Sequence, residues 1–429
     1  VKPIHVFLLF NLVVPFLVFY LTDNILRKRP GGYGETNLLE RNPLYYKFKN
    51  NKIYIKYFLI CLPLFLIGII PVLIAYTPIT ELTGYNDFSF SEIGLSFFKD
   101  TYFFDFKENV EGGSTLVSLS ELRSAKNGSG IAGPFGFGSL ILSLFVPLGI
   151  ALFFSMSYKE RTKELILERN KTKELENEFN NSLFQLGNRI GNGVPPELVF
   201  GKVAQSSKGL RTEDFFNKVN YNIRQMGMGL EKAIFDKKRG AINSFPSSLI
   251  STSMKILIES SKKGLKITAR SLMSISEYVK NIKKINQRLK DMLAKIVSDM
   301  KSNMTFLAPL LAGVVVGLAS MITSILDKLA MPSAEGASQA GVSGIGDFAN
   351  FLSVVSMIPP YFLQIFIGIY LIQIIFILTG SLVVIDSGND PLARVNEISR
   401  NLKRGSLFYL IVSFASSLAL FVLASVVLP

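Results

Sequence analysis

Very few residues in this 429-residue chain have the types and spacing needed for catalysis. His5 is the only histidine and Cys61 the only cysteine, and both sit inside apolar runs. With one imidazole and one thiol placed there, histidine-based catalysis, His/Cys zinc sites, intramolecular disulfides and histidine phosphorelays have no residues to work with. No G-x-x-x-x-G-K-[ST] stretch occurs, so a phosphate-cradling loop of that kind is absent. Asp386-Ser-Gly-Asn-Asp390 superficially resembles a calcium loop but lacks the twelve-residue ligand series, and reads instead as an Asx turn. The serine-rich 243–253 has neither a paired base nor a glycine elbow, and Pro246 reads as opening a helix. The chain is therefore expected not to be an enzyme, with no catalytic, cofactor or metal site.

What remains is charge, and it is concentrated. Residues 158–306 carry 28 Lys/Arg against 15 Asp/Glu, nearly all of the chain's net +14. Within them, a long helix expected from Lys266 toward the membrane carries Lys280, Lys283, Lys284, Arg288, Lys290 and Lys295 on one side. Its apolar side is Leu272, Ile275, Val279, Ile282, Ile285, Leu289, Leu293, Ile296 and Met300, at steps of three and four. Such a face can dock an acidic partner, or lie solvated near anionic lipid headgroups.

The elements that position this block are hydrophobic. Six apolar runs near the ~20 residues needed to cross a bilayer can be drawn, at 4–22, 53–79, 135–157, 305–326, about 357–384 and 406–428. Arg27-Lys28-Arg29 follows the first run where a signal peptide would show a small-residue cleavage site, so that run reads as a span. Segments 23–52, 158–304 and 386–405 carry 39 Lys/Arg, against 6 in 1–3, 80–134 and 327–350. The alternation predicts both termini outside and the basic block inside. The fold class expected is all-α: a polytopic membrane protein with about six transmembrane helices. It comprises an N-terminal membrane region 1–157, one cytoplasmic helical bundle 158–304 and a C-terminal membrane region 305–429. The outside loop 80–134 is acidic and aromatic, either an irregular surface loop or a small hairpin cap. Pro332–Gly346 reads as a second, flexible loop.

Inside the block the pattern is helical throughout. Lys159–Glu178 is charged like a stalk, and Leu175, Phe179, Leu183, Leu186 and Ile190 form a stripe ended by Gly191-Asn192-Gly193. Pro195-Pro196-Glu197 starts the next helix. Thr212 is expected to cap a third, striped by Phe215, Val219, Ile223 and Met226. Gly227 and Gly229 precede Leu230–Phe235, and Lys262-Lys263-Gly264 ends a fifth helix before the long one.

The order of these turns resembles one family. Leu186-Gly-Asn-Arg-Ile-Gly-Asn-Gly-Val-Pro-Pro-Glu-Leu-Val-Phe200, Met226-Gly-Met-Gly-Leu-Glu-Lys-Ala-Ile-Phe235 and Ile258-Glu-Ser-Ser-Lys-Lys-Gly-Leu265 are similar to successive elements of the type II secretion system F domain. Pro360-Tyr-Phe-Leu-Gln-Ile-Phe-Ile-Gly-Ile-Tyr-Leu-Ile-Gln373, followed by Asp386–Asp390, is similar to the archaeal branch, the assembly platforms of archaella and type IV-like pili. The likeness covers about 175–400, a little over half the chain. Many members carry two copies of the domain; one is visible here. The resemblance implies a membrane platform that couples a cytoplasmic P-loop secretion ATPase to pilin- or archaellin-like subunits, and a homodimer.

The resemblance makes Glu259, Lys280, Lys283, Lys284 and Arg288 candidates for contact with the ATPase. Glu197 and Glu231, early in their helices, read as dipole-matched capping residues, whereas Glu259 lies near a helix C-terminus and needs another reason to be there. Gly313 and Gly317 form a small-xxx-small surface, either a packing seam or ordinary membrane-helix glycines. Gln364 and Gln373 are amides within a span, expected to bond to neighbouring helices or, more specifically, to meet a pilin helix. No nucleic-acid motif is present, and a membrane-tethered position argues against nucleic acid as partner. Two other readings are a membrane receptor with an outer sensing loop and an inner helical relay without kinase activity, and a solute transporter. The second is disfavoured because no inverted repeat is seen.

Overall fold

The computed structural model describes residues 3–26, 43–76, 87, 103–108, 131–245, 247–340, 358–388 and 390–427. They fall into two compact units. One runs through the described residues up to Arg161, Pro43 excepted, and from Ile296 onward; the other is Thr162–Lys295 together with Pro43.

The first unit is built on apolar helices: α1 (Pro3–Leu8), a π-turn (Leu9–Val13), α2 (Val14–Leu26), α3 (Pro43–Tyr76) and α4 (Phe137–Ser143). The membrane end of α5 (Phe145–Gly191) follows, and later α11 (Ala308–Ala340), α12 (Pro360–Ser387) and α13 (Pro391–Val427). Among the described residues six helical stretches are long and apolar enough to cross a membrane, one at each expected place. The chain is thus a multi-pass membrane protein. Pro63 and Pro71 lie inside α3, as bundled membrane helices allow. The core gathers Leu140, Ala151, Val316, Leu371, Ile375 and Tyr409 from five of these helices.

Several boundaries differ from expectation. α13 begins at Pro391 rather than 406, because Asp390 accepts the Ala393 N–H at 3.0 Å and caps it. Gly388, at φ +81°, ends α12 just before. The Asp386–Asp390 turn is therefore a helix-to-helix joint, although Asn389 lies outside the described residues. α11 continues to Ala340, into the stretch expected to be a loop from Pro332. Residues 341–357 lie outside the described residues, as do 27–42, 77–79, Pro246, Leu428 and most of 80–134. Part of what is described of that segment is a two-stranded antiparallel pair, β1 (Phe106–Glu108) with β2 (Ile131–Pro134), Phe106 lying opposite Pro134. The Asp87 carboxylate accepts the Asp105 N–H at 2.8 Å and the Phe104 N–H at 3.2 Å, and Phe104 and Phe106 are buried.

The second unit is a helical bundle. It comprises the distal part of α5, then α6 (Pro196–Ser206), α7 (Arg211–Arg224), α8 (Leu230–Phe235), α9 (Ser248–Ser261) and most of α10 (Leu265–Ser302). The predicted stripe Phe179, Leu183, Leu186 and Ile190 is fully buried, against Phe200, Phe215, Phe216, Met254 and Leu272. The charged stalk and the stripe are one continuous helix, α5. Gly193 (φ +89°) and Gly264 (φ +112°) occupy the left-handed region that lets the chain reverse between helices.

Thr212 is not a cap. It is buried at the second position of α7, whose N-cap is Leu210. The free amides there are met by carboxylates: Glu213 Oε2 accepts from Gly209 N–H at 2.7 Å and Glu178 Oε2 from Thr212 N–H at 3.3 Å. Asn222 Nδ2 donates to the Ala233 and Arg239 carbonyls, tying α7 to the turn after α8. α9 is opened by Ser247, whose Oγ accepts the Ile250 N–H and donates to Glu176.

Candidate functional site

α10 presents the candidate docking residues, and the bundle core fixes its orientation. Ala269, Leu272 and Val279 are buried, so residues on other sides of the helix are held outward. Lys280, Lys284 and Arg288 are exposed and free to meet a partner's carboxylates. Lys283 is not on that face. Its stem is half-buried and its ammonium donates to the Glu176 carbonyl of α5 at 3.3 Å. Burial lowers its pKa from the usual value near 10.5, against the opposing pull of the Glu176 charge.

The sign of this shift is testable. A lysine whose folded pKa is lowered binds its proton less tightly in the folded than in the unfolded chain. Stability therefore rises as pH climbs through the interval below 10.5. Wild type should gain stability relative to Lys283→Met between pH 7 and pH 10 in denaturant titrations. A gap that stays constant with pH would contradict the inward placement.

Glu259 finds its reason locally. It is exposed and ion-pairs with Lys262, one helical turn on, at 3.0 Å. The hydrogen bond and charge of Glu259 hold the Lys262 ammonium above its usual pKa. The carboxylate unfavourable to the end of α9 is thus offset by its own neighbour. Glu197 and Glu231 are exposed in the first turns of α6 and α8.

The apolar side of α10 divides in two. Leu272 and Val279 face the bundle core, and Ile275 and Leu293 are half-buried. Ile282, Ile285, Leu289 and Ile296 stand in solvent, together with Tyr278 and Met292, which the sequence stripe omitted. Residues seven apart keep nearly one direction on a helix, so Tyr278–Ile285–Met292 carried the signal.

In the membrane unit, Gly313 and Gly317 lie against α13. Ser416 Oγ donates to the Gly313 carbonyl at 2.7 Å, so the glycines form a seam within one chain. Gln364 is fully buried and joins three helices. Its Oε1 accepts from Ser143 Oγ at 2.7 Å, its Nε2 donates to Ser413 Oγ at 3.3 Å, and its carbonyl accepts from Tyr409 at 3.3 Å. Gln373 is partly buried and does not join this network; its Oε1 has no partner among the described residues.

A second polar knot was not foreseen. α10 passes into α11 through a π-turn, Asn303–Leu307, where the fully buried Met304 Sδ accepts from Thr379 Oγ1 at 3.2 Å. Asn401 Nδ2 donates to Thr379 Oγ1 at 3.3 Å. Nearby, Glu397 pairs with Arg400 at 3.0 Å and with Lys301 at 4.0 Å. Asn401 was hidden because the sequence placed it in a loop before 406. Among the described residues no three His, Cys, Asp or Glu side chains gather to hold a metal. The arrangement offers positioned cations, polar helix joints and packing surfaces. Compared with protein-family models, curated proteins and solved structures, the chain finds no match.

Proposed function

We propose that this protein is the membrane platform of a type IV-pilus-like assembly machine, an archaellum or archaeal adhesion pilus. It does no chemistry of its own. A cytoplasmic P-loop secretion ATPase engages the bundle through the outward cations of α10. The membrane helices pass the displacement to pilin-like subunits with hydrophobic N-terminal helices. The observation that carries this reading is helix continuity. α5 bears membrane-span residues such as Ala151 at one end and bundle-core residues such as Leu186 at the other. α10 likewise leads from the core residue Leu272 through one π-turn into α11. Unbroken helices transmit displacement without the loss a flexible linker would bring. The basic block lies on the cytoplasmic side in this reading, as the Lys/Arg alternation predicts.

The test is co-purification of the full-length protein with a P-loop secretion ATPase from the same cell. Lys280→Glu, Lys284→Glu and Arg288→Glu together should lower the retained ATPase about tenfold or more at low salt, since like charges then oppose. Lys283 is left intact because it faces inward. Retention indifferent to the triple reversal would defeat the docking face. A deletion strain that still builds filaments would defeat the platform reading as a whole.

A further inference from the structure

We infer that a crevice in the membrane unit, between the membrane end of α5, α12 and α13, holds an acyl chain of an anionic phospholipid, whose headgroup phosphate meets Lys403 and Arg404. The crevice encloses about 260 Å³ and is partly open at its side. Pro147 and Leu148 of α5, Leu371 and Ile375 of α12 and Leu410 of α13 line it. Two hydroxyls reach it, and both donate inward. Ser406 Oγ donates to the Lys403 carbonyl at 3.4 Å and Tyr409 Oη to the Gln364 carbonyl at 3.3 Å. A polar ligand gains no donor there, and apolar cavities take apolar occupants. The volume lies below the ~300–1,000 Å³ of sites that enclose a drug-sized molecule, whereas a segment of hydrocarbon chain needs only an open slot. From Gly368 to Ile375 the slot follows α12 for about 10 Å.

Charge selects the headgroup. Lys403 and Arg404 immediately precede the apolar run from Ser406, so they lie where the headgroups of that leaflet begin. Residues three and seven apart share a helix face, and Lys403 stands over Ser406 and Leu410, which line the crevice. Arg404, one step round the helix, stands over the exposed Leu407 and Ile411. Both cations are exposed, and neither pairs with a carboxylate among the described residues. Glu397, the only carboxylate of α13, is taken by Arg400 and Lys301. Two unpaired cations beside an apolar slot match the two parts of an anionic phospholipid, its excess negative charge and its hydrocarbon. A zwitterionic lipid offers the chain but cancels the charge, and a hydrophobic peptide leaves the cations unmet. The inference does not depend on the platform reading.

The chain has no tryptophan, so one placed at the crevice senses what enters it. Leu410→Trp stands half-buried at the slot. Leu311→Trp stands exposed on α11 at the same depth, since Gly313 of α11 packs on Ser413 of α13. The full-length protein is reconstituted into phosphatidylcholine vesicles holding a minor fraction of lipid brominated along its chains, either phosphatidylglycerol or phosphatidylcholine. Half-quenching of Leu410→Trp should need about fivefold less brominated phosphatidylglycerol than phosphatidylcholine, while Leu311→Trp should not distinguish them. Lys403→Gln with Arg404→Gln should remove the difference, and soluble glycerol phosphate should not. Wild type supplies a second readout free of any crowding by tryptophan. Extracted from vesicles of the two lipids in equal amounts, it should retain phosphatidylglycerol about fivefold over phosphatidylcholine in native mass spectra, and the double variant should show no preference. Equal quenching by both lipids at Leu410→Trp, the same preference at Leu311→Trp, or a preference that survives loss of both cations would overturn the proposal. So would an unquenched Leu410→Trp together with no lipid retained by wild type, which would mean that protein covers the slot.

Discussion

Gly313→Ala is expected to destabilise the membrane unit by about 1–3 kcal/mol, and Gly313→Leu to leave little correctly assembled protein. A Cβ built on Gly313 would stand 2.8 Å from the Ser413 nitrogen and 3.1 Å from the Val412 carbonyl carbon. One turn on, at Gly317, it would stand 2.9 Å from the Ser416 carbonyl carbon. These neighbours include α13 backbone, which cannot swing aside as a side-chain end can. The two helices must separate, and separation also breaks the 2.7 Å bond from Ser416 to the Gly313 carbonyl. Within lipid no hydrophobic drive restores the contact, since lipid tails are as apolar as the helix surface; close packing is what holds the pair. Gly149→Ala is the control, because its Cβ would meet nothing nearer than 3.5 Å. Thermal unfolding in detergent should separate the two alanines by several degrees. Equal midpoints would mean that α11 and α13 do not approach as described.

The same residues show how far the fold could be read in advance. Apolar length announces a span whatever its surroundings, so all six appear where hydropathy placed them. Helix starts set by backbone chemistry were equally visible, as with Pro196 in the first turn of α6 and Gly229 before Leu230. Thr212 misled because a threonine before two carboxylates has the composition of a cap, while the actual caps are carboxylates, one of them Glu178, distant in sequence. Asp390 was read as part of an Asx turn, and its second role as the cap of α13 was hidden because the last span was placed only from 406. Lys283 illustrates the limit for the candidate site. Its position beside Lys280 and Lys284 suggests one basic face, but three residues along a helix turn the side chain by most of a revolution. Only the packing of α10 on α5 decides which lysine faces inward. Likewise the stripe of α10 could be counted from the sequence, but its division into a buried and an exposed face depends on where the bundle core ends.

Phe216→Ala should cost about 3–5 kcal/mol, a large part of the stability a domain of this size holds. Phe216 is fully buried and stacks on Phe179 of α5 at 5.9 Å and 10°. It also meets the edge of Phe215 at 5.3 Å and tilts on Phe200 of α6 at 6.0 Å. One side chain thus holds three helices, and the cavity it leaves is lined by rings too rigid to collapse into it. Phe184→Ala, on an exposed part of α5, removes the same ring with a change of about 0.5 kcal/mol or less. The readout is limited proteolysis in native membranes: the bundle of Phe216→Ala should be cut while the apolar helices stay intact, and Phe184→Ala should resist like wild type. The comparison also separates two ways of losing a partner. Leu272 belongs to the same buried cluster as Phe216, and Leu272 helps set the direction in which Lys280, Lys284 and Arg288 point. If the proposed docking holds, Phe216→Ala should therefore release the proposed ATPase partner although no charge has changed, whereas the triple reversal should release it from a bundle that still resists protease. Retention by a Phe216→Ala protein whose bundle is cut would show that the cations act without the fold that orients them.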